Sequence, residues 1–182
     1  IDINSTKYEQ EDYSFNPPFA YPYTFWRIEP DLVAQIGGPD GFFFGNARLA
    51  GNAEVKFTRD LSLVAEASIG IYDNFDDLKL ASDSVLPHVR TDIVQYLKET
   101  KDYSINRLQL NYFSNPFNDL YTKVSGGLLE DMFGGIGGEV LYRPFYKNYA
   151  VGAEIWSVRQ RNYHMNFSFL DYRTETGHIN LY

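Results

Sequence analysis

Residues 43–57 read FFGNARLAGNAEVKF, and their alternation decides the fold. Odd positions give Phe43, Gly45, Ala47, Leu49, Gly51, Ala53, Val55 and Phe57. Even positions from Asn46 give Asn46, Arg48, Ala50, Asn52, Glu54 and Lys56. Successive side chains of a strand point to opposite faces, so one face is apolar or small and the other mostly polar. Thr58-Arg59-Asp60 turns the chain, and Leu61 to Ile71 repeats the pattern. Leu61, Leu63, Ala65, Ala67, Ile69 and Ile71 share a face; Ser62, Glu66, Ser68 and Gly70 lie opposite, with Val64 the exception. The two runs predict a long antiparallel hairpin.

Further runs follow the same period: Tyr103 to Phe113, Leu120 to Leu129, Ile136 to Arg143, Tyr149 to Arg161, Tyr163 to Arg173 and Gly177 to Tyr182. Before the hairpin, prolines at 17, 18, 22, 30 and 39 interrupt the chain, leaving Tyr23 to Glu29 and Leu32 to Ile36 as shorter strands. Residues 73–102 form a long connection, acidic at its start. Within it Thr91 or Asp92 is placed to cap a short helix, Ile93 to Glu99, with Ile93, Tyr96 and Leu97 as its apolar stripe. The expectation is roughly eight to ten antiparallel strands and one short helix.

The chain has 182 residues, a formal net charge of −8, no cysteine, 15 Tyr, 14 Phe and 2 Trp. Without cysteine there is no disulfide scaffold, thiolate metal site or cysteine nucleophile. The negative balance argues against nucleic acid as a partner, since no surplus of cations meets phosphate. No apolar run approaches the about 20 residues of a membrane helix. A membrane barrel is not excluded by that, because its strands alternate. Three features favour one: long strands, small and apolar residues on one face against polar ones on the other, and aromatics near strand ends (Tyr72, Tyr103, Tyr112, Tyr121, Tyr142, Tyr149). A soluble β-sandwich with its polar face in water carries the same alternation, so both stay open at this level.

Chemistry-bearing residues are sparse. His88, His164 and His178 stand apart, without metal-ligand spacing. The acidic group Asp73, Asp76, Asp77 and Asp83 fails the calcium-loop pattern at Phe75 and Leu78. Gly134-Gly135-Ile136-Gly137-Gly138 lacks the third glycine and the βαβ context of a dinucleotide loop, and reads as close approach of backbones. The last third concentrates fixed charge: Glu130, Glu139, Arg143, Glu154, Arg159, Arg161 and Arg173. In a barrel these are the residues expected to line a polar lumen. Parity separates Glu154 from Arg159 and Arg161, and a bulge near Ser157 would reconcile them. Glu139 and Glu154 facing one cleft would instead suit a glycan hydrolase or lyase. Neither cofactor nor metal is implied.

Four blocks carry a resemblance: Leu86-Pro87-His88-Val89-Arg90-Thr91-Asp92 with Tyr96-Leu97-Lys98; the unbroken run from Gly127 to Phe145; Ala150 to Glu154 leading to Arg159-Gln160-Arg161; and Asp171-Tyr172-Arg173-Thr174 with Thr176-Gly177-His178. In this order they resemble the YjbH/GfcD family of outer-membrane exopolysaccharide and capsule biosynthesis proteins, over about Asp73 to Tyr182. The resemblance implies a Gram-negative outer-membrane β-barrel of several hundred residues that helps secrete or assemble a polysaccharide. Residues 1–182 would then be a single β domain, an interior segment of a longer barrel protein. The implied partners are polysaccharide, outer-membrane lipid and other proteins of the exopolysaccharide operon. The family supplies no catalytic residues, so the expected role is non-catalytic. The long loop with its helix is placed to plug or gate a lumen. A soluble periplasmic glycan-binding sandwich is the competing reading.

Overall fold

The hairpin read from residues 43–71 forms with the register its alternation demands. In the computed structural model, which describes residues 20–38, 40–79 and 92–182, it is β2 (Gly41–Lys56) paired antiparallel with β3 (Leu61–Asp73). Around it lie β1 (Tyr23–Gly38), β4 (Tyr103–Phe117), β5 (Leu120–Leu128), β6 (Phe133–Tyr142), β7 (Val151–Arg161) and β8 (Phe169–Leu181). All eight make one sheet, ordered as in the chain. The expected all-β, up-and-down meander is therefore the fold. The sheet is not closed: β1 and β8 are its two edges among the described residues. The helix α1 spans Ile93–Glu99, as expected, and a 3₁₀ turn spans Phe75–Asp77.

Several strand boundaries shift by a few residues (β4 runs on to Phe117, β6 starts at Phe133 and β7 at Val151), and two assignments change in kind. β1 runs unbroken through Pro30, which lies opposite Leu49. An edge strand tolerates proline, because a missing N–H there need not cost a ladder bond. At the other end, Tyr163 to Arg173 and Gly177 to Tyr182 are not two strands. Residues 162–168 form a loop, and β8 passes straight through Gly177. In that loop the Asn162 side chain accepts from the His164 N–H (3.2 Å) and the Asn166 side chain from the Ser168 N–H (2.8 Å). Such local bonds turn the chain despite the strand-like alternation of Tyr163, Met165, Phe167 and Phe169.

Register sorts the side chains into two faces, and the burial is inverted relative to a water-soluble sheet. The buried face is polar: Asn46, Ser62, Ser68, Asn111 and Ser125 are covered, Ser125 to 2% exposure. The opposite face is largely apolar and open, with charged residues on β7 and β8 near their helix end. Ile136 is 61%, Ile155 67% and Ile179 84% exposed.

The helix shows how the polar face becomes covered. Val94 and Leu97 of α1 pack on a small apolar cluster of Phe44, Phe75 and Leu78, together with Val33 of β1. From the same helix the Tyr96 hydroxyl donates to the carbonyl of Arg161, at the end of β7. In a flat sheet β2 and β7 would be about 24 Å apart, whereas a helix of this length spans about 10 Å. The sheet must therefore curl around α1 with its polar face inward. Asp92 holds the N-cap position, but its side chain does not cap the helix. Its carboxylate instead accepts from Gln160 (2.9 Å) and Tyr163 (3.3 Å).

Candidate functional site

Charges on the inner face come in pairs set by cross-strand register. Arg48 of β2 donates through Nε to Asp31 of β1 (3.1 Å). Lys123 of β5 meets its register partner Glu139 of β6 at 2.8 Å. Between them run neutral networks: Ser68, Ser104 and Asn106 bond one another, and Asn106 donates to Asp131 at 2.9 Å. Gln109 and Ser125 both donate to Asn111, at 2.6 and 2.7 Å. These bonds give most of the buried polar side chains of this face a partner.

Toward β8 the inner face opens into a cleft of about 570 Å³. Phe133, Trp156 and Tyr172 give it aromatic walls; Arg107, Gln109 and Lys123 give it polar ones. Thr174 and Thr176 of β8 complete the floor. Trp156 donates from Nε1 to Glu154 (3.1 Å), whose other oxygen lies 3.2 Å from Nδ1 of His178. Lys123 Nζ sits 5.9 Å from the Trp156 ring centre, a weak cation–π approach.

The seven charged residues singled out in the sequence do not form one group. Glu139 and Glu154 are direct cross-strand partners on the inner face, so they do share a side. Glu130 lies in the β5–β6 turn on the rim of the cleft. Its carboxyl is pushed above the ordinary range by desolvation, then by the neighbouring Asp131. Arg143 is exposed just beyond β6, beside Lys147 and Tyr149. Arg159 and Arg173 are register partners on the outward face, away from the expected lumen. Arg159 donates to the Leu170 carbonyl (2.6 Å) and Arg173 to Ser157 (3.0 Å). The irregularity expected near Ser157 lies between Arg159 and Arg161 instead.

Arg161 is fully buried and bonds no carboxylate. Its guanidinium donates to the carbonyls of Glu130 (2.7 Å), Ile105 (2.7 Å) and Met165 (2.6 Å), with longer contacts to Asn106 and Asn166. It ties β4, the β5–β6 turn and the β7–β8 loop together, a structural clamp rather than a ligand site. Of the histidines, His164 pairs with Glu99 at 3.1 Å and His178 with Glu154; His88 lies outside the described residues, as do Asp83 and the Leu86–Thr91 block. Among the described residues no cluster of His, Asp and Glu is built to hold a metal ion. No helix among them is long and apolar enough to cross a membrane.

Sequence reasoning missed Trp156, Lys123 and Arg107 as a group. Their strands are distant in the chain, and only the register of β4 to β7 brings them together. The available signal was parity: Trp156 shares the polar face of its strand with Glu154, and Gly137 lies directly opposite it.

No solved structure matches the chain. The chain is 36% identical over 163 residues to a protein of Escherichia coli (strain K12) named uncharacterized lipoprotein YjbH. The match covers 86% of this chain but 23% of that relative, so the chain spans under a quarter of the relative's length. Residues 3–182 also match the family described as exopolysaccharide biosynthesis protein YbjH. On both matches, the chain belongs to the YjbH exopolysaccharide biosynthesis family.

Proposed function

We propose that this chain is part of an outer-membrane β-barrel that serves secretion or assembly of an exopolysaccharide or capsule, without catalysing a reaction on it. One observation carries the reading: most polar side chains of the sheet's inner face are covered, beside a few apolar ones such as Phe44 and Val158, whereas most large apolar side chains of the sheet, aliphatic and aromatic, are exposed. That inversion suits strands whose outward face meets hydrocarbon and whose inward face meets water and a hydrophilic polymer. The name of the Escherichia coli relative makes that protein a lipoprotein, which supports an envelope location here.

Glu139 and Glu154 fit this role as fixed lumen charges. Lys123 occupies the first; Trp156 and His178 occupy the second. The helix α1 and the 3₁₀ turn at Phe75–Asp77 pack against the inner face at one end of the strands, where they would restrict passage. Further strands, closing the two open edges, would complete the barrel.

The test is membrane fractionation of the full-length protein, together with heat-modifiable gel mobility. Recovery in the outer membrane with a heat-dependent shift is expected. A soluble periplasmic protein without a shift would overturn the reading and make a glycan-binding sandwich the leading alternative.

A further inference from the structure

The cleft around Trp156 is built to hold a sugar ring in one orientation. A Cβ placed on Gly137 would meet two indole carbons at 2.2 and 2.3 Å, so the ring lies directly on bare glycine backbone. The indole N–H is anchored on Glu154 at 3.1 Å. These contacts fix the ring plane, and the ring lines the cleft. A fixed aromatic face with an apolar body is a platform for the C–H face of a pyranose. Gln109, Thr174 and Thr176 line the same cleft and supply hydrogen-bonding groups for hydroxyls.

The charges of the cleft discriminate further. Lys123 is committed to Glu139. Arg107 spends Nε on the carbonyl of Leu129 (3.1 Å), and no carboxylate of the described residues forms an ion pair with it. Glu66 lies opposite it on β3 and Glu130 on the cleft rim; Glu130 feels the charge of Arg107, but neither carboxylate forms an ion pair with it. Its two terminal nitrogens therefore retain the fork that matches a carboxylate.

We propose that this cleft is a subsite for one uronic acid residue of the polymer, with its ring on Trp156 and its carboxylate on Arg107. This rests on the reading of the inner face as a polymer path, and adds that the path selects an acidic sugar.

The test uses the full-length protein in detergent, labelled with 5-fluorotryptophan. The Trp156 resonance is assigned by its absence from Trp156→Phe. Titration with tetragalacturonate is expected to shift that resonance at concentrations at least tenfold lower than maltotetraose requires, and Arg107→Gln should erase the difference. Calorimetry on the unmodified protein gives the same comparison without any variant. No binding of either tetrasaccharide overturns the subsite. Equal binding of both, or a preference that survives Arg107→Gln, overturns the assignment of an acidic sugar to Arg107. Heat-modifiable mobility of the same sample reads the barrel separately. A shifting barrel with a silent Trp156 sinks the subsite alone, and selective binding by a protein without the shift sinks the barrel alone.

Discussion

Replacing Arg161 with methionine removes the clamp at the helix end of the sheet while keeping most of the side-chain volume. Three short contacts, of 2.6 to 2.7 Å, join its guanidinium to the carbonyls of Met165, Ile105 and Glu130. Hydrogen bonds from a charged donor are each worth about 1.5–3 kcal/mol, or roughly 4–9 kcal/mol together. Two terms reduce this. The guanidinium is fully desolvated, with Nε unpartnered, which costs several kcal/mol. The released carbonyls can also regain water once the loop opens. A net loss of about 3 kcal/mol corresponds to about a hundredfold in local opening. Hydrogen exchange on the full-length protein in detergent reads it. The reporters are the Arg161 N–H, bonded to Met132, and those of Asn162 and Met165 (each 2.9 Å). They should exchange about a hundredfold faster in Arg161→Met. The Phe57 and Phe113 N–H groups, bonded to Leu61 and Asp60 at the far end, should not change. Acceleration under threefold at the loop, or equal acceleration at both ends, would refute a local clamp.

Other expectations concern the helix, the glycine seat, the carboxylates and the orientation. Burial pushes the Tyr96 phenol up to about 12, with smaller upward pushes from Tyr163 and Asp92. Because the folded value lies above the ordinary 10.0, its stabilisation is complete below pH 10 and fades by about 2–3 kcal/mol as pH rises to 12. Ultraviolet titration of wild type minus Tyr96→Phe should show one tyrosinate forming near pH 12; a midpoint near 10 would contradict the burial. Gly137→Ala should lower the temperature of the heat-modifiable transition by the equivalent of about 1–3 kcal/mol, since the new methyl strikes the Trp156 ring. Gly138→Ala, whose nearest neighbour is the Lys123 carbonyl at 3.6 Å, should not. Glu139→Gln with Glu154→Gln should retain polymer export in cells, and its abolition in a folded variant would favour catalysis. Outer-membrane barrels keep short turns on the periplasmic side. The 57–60 turn and the helix-bearing 74–102 connection leave opposite ends of the strands. In intact cells an impermeant maleimide should therefore label Glu99→Cys and spare Arg59→Cys.

The sheet was legible in the sequence because alternation is a local property. Phe43 to Phe57 assigns each side chain to a face with no knowledge of what packs there. The helix was equally local, although Val94 packs with Tyr96 and Leu97 where the expected stripe had Ile93. What stayed hidden depends on neighbours. The loop at 162–168 imitates a strand until Asn162 and Asn166 are seen bonding their own backbone. Arg161 reads as one more lumen charge until the register break after Arg159 turns it into the seam between three segments. The cleft needed four strands in register before Arg107, Lys123 and Trp156 met. Position along a strand says which face a charge takes, but its partners come from elsewhere in the chain.

A soluble sandwich would have to bury the apolar face against a second layer, and the eight strands among the described residues belong to one sheet. Ile28, Leu32, Ile69, Ile136, Ile155 and Ile179 are each more than 60% exposed. Leaving such a residue that far in water forgoes about 1–2 kcal/mol. Six of them forgo roughly 6–12 kcal/mol, comparable to the whole net stability of a domain. The course of the apolar band bears on what covers it. A line across the sheet by register passes through Leu61, Tyr112, Val124, Gly138, Ile155 and Gly177. On β3 the outward apolar residues lie on the helix side of that line, up to Tyr72, and on β4 they run from Phe117, beyond the line, to Tyr103 on the helix side. On β5 and β6 they straddle it, from Leu120 to Leu128 and from Gly134 to Tyr142. On β7 and β8 they lie on the other side, at Val151 and Ala153, and at Ile179 and Leu181. There the helix side carries Ser157, Arg159, Arg173 and Glu175. The band thus runs obliquely to the strands. A slab of hydrocarbon crossed by strands tilted 35–45° imposes that obliquity. A protein layer packed on the face has no reason to follow the same slant.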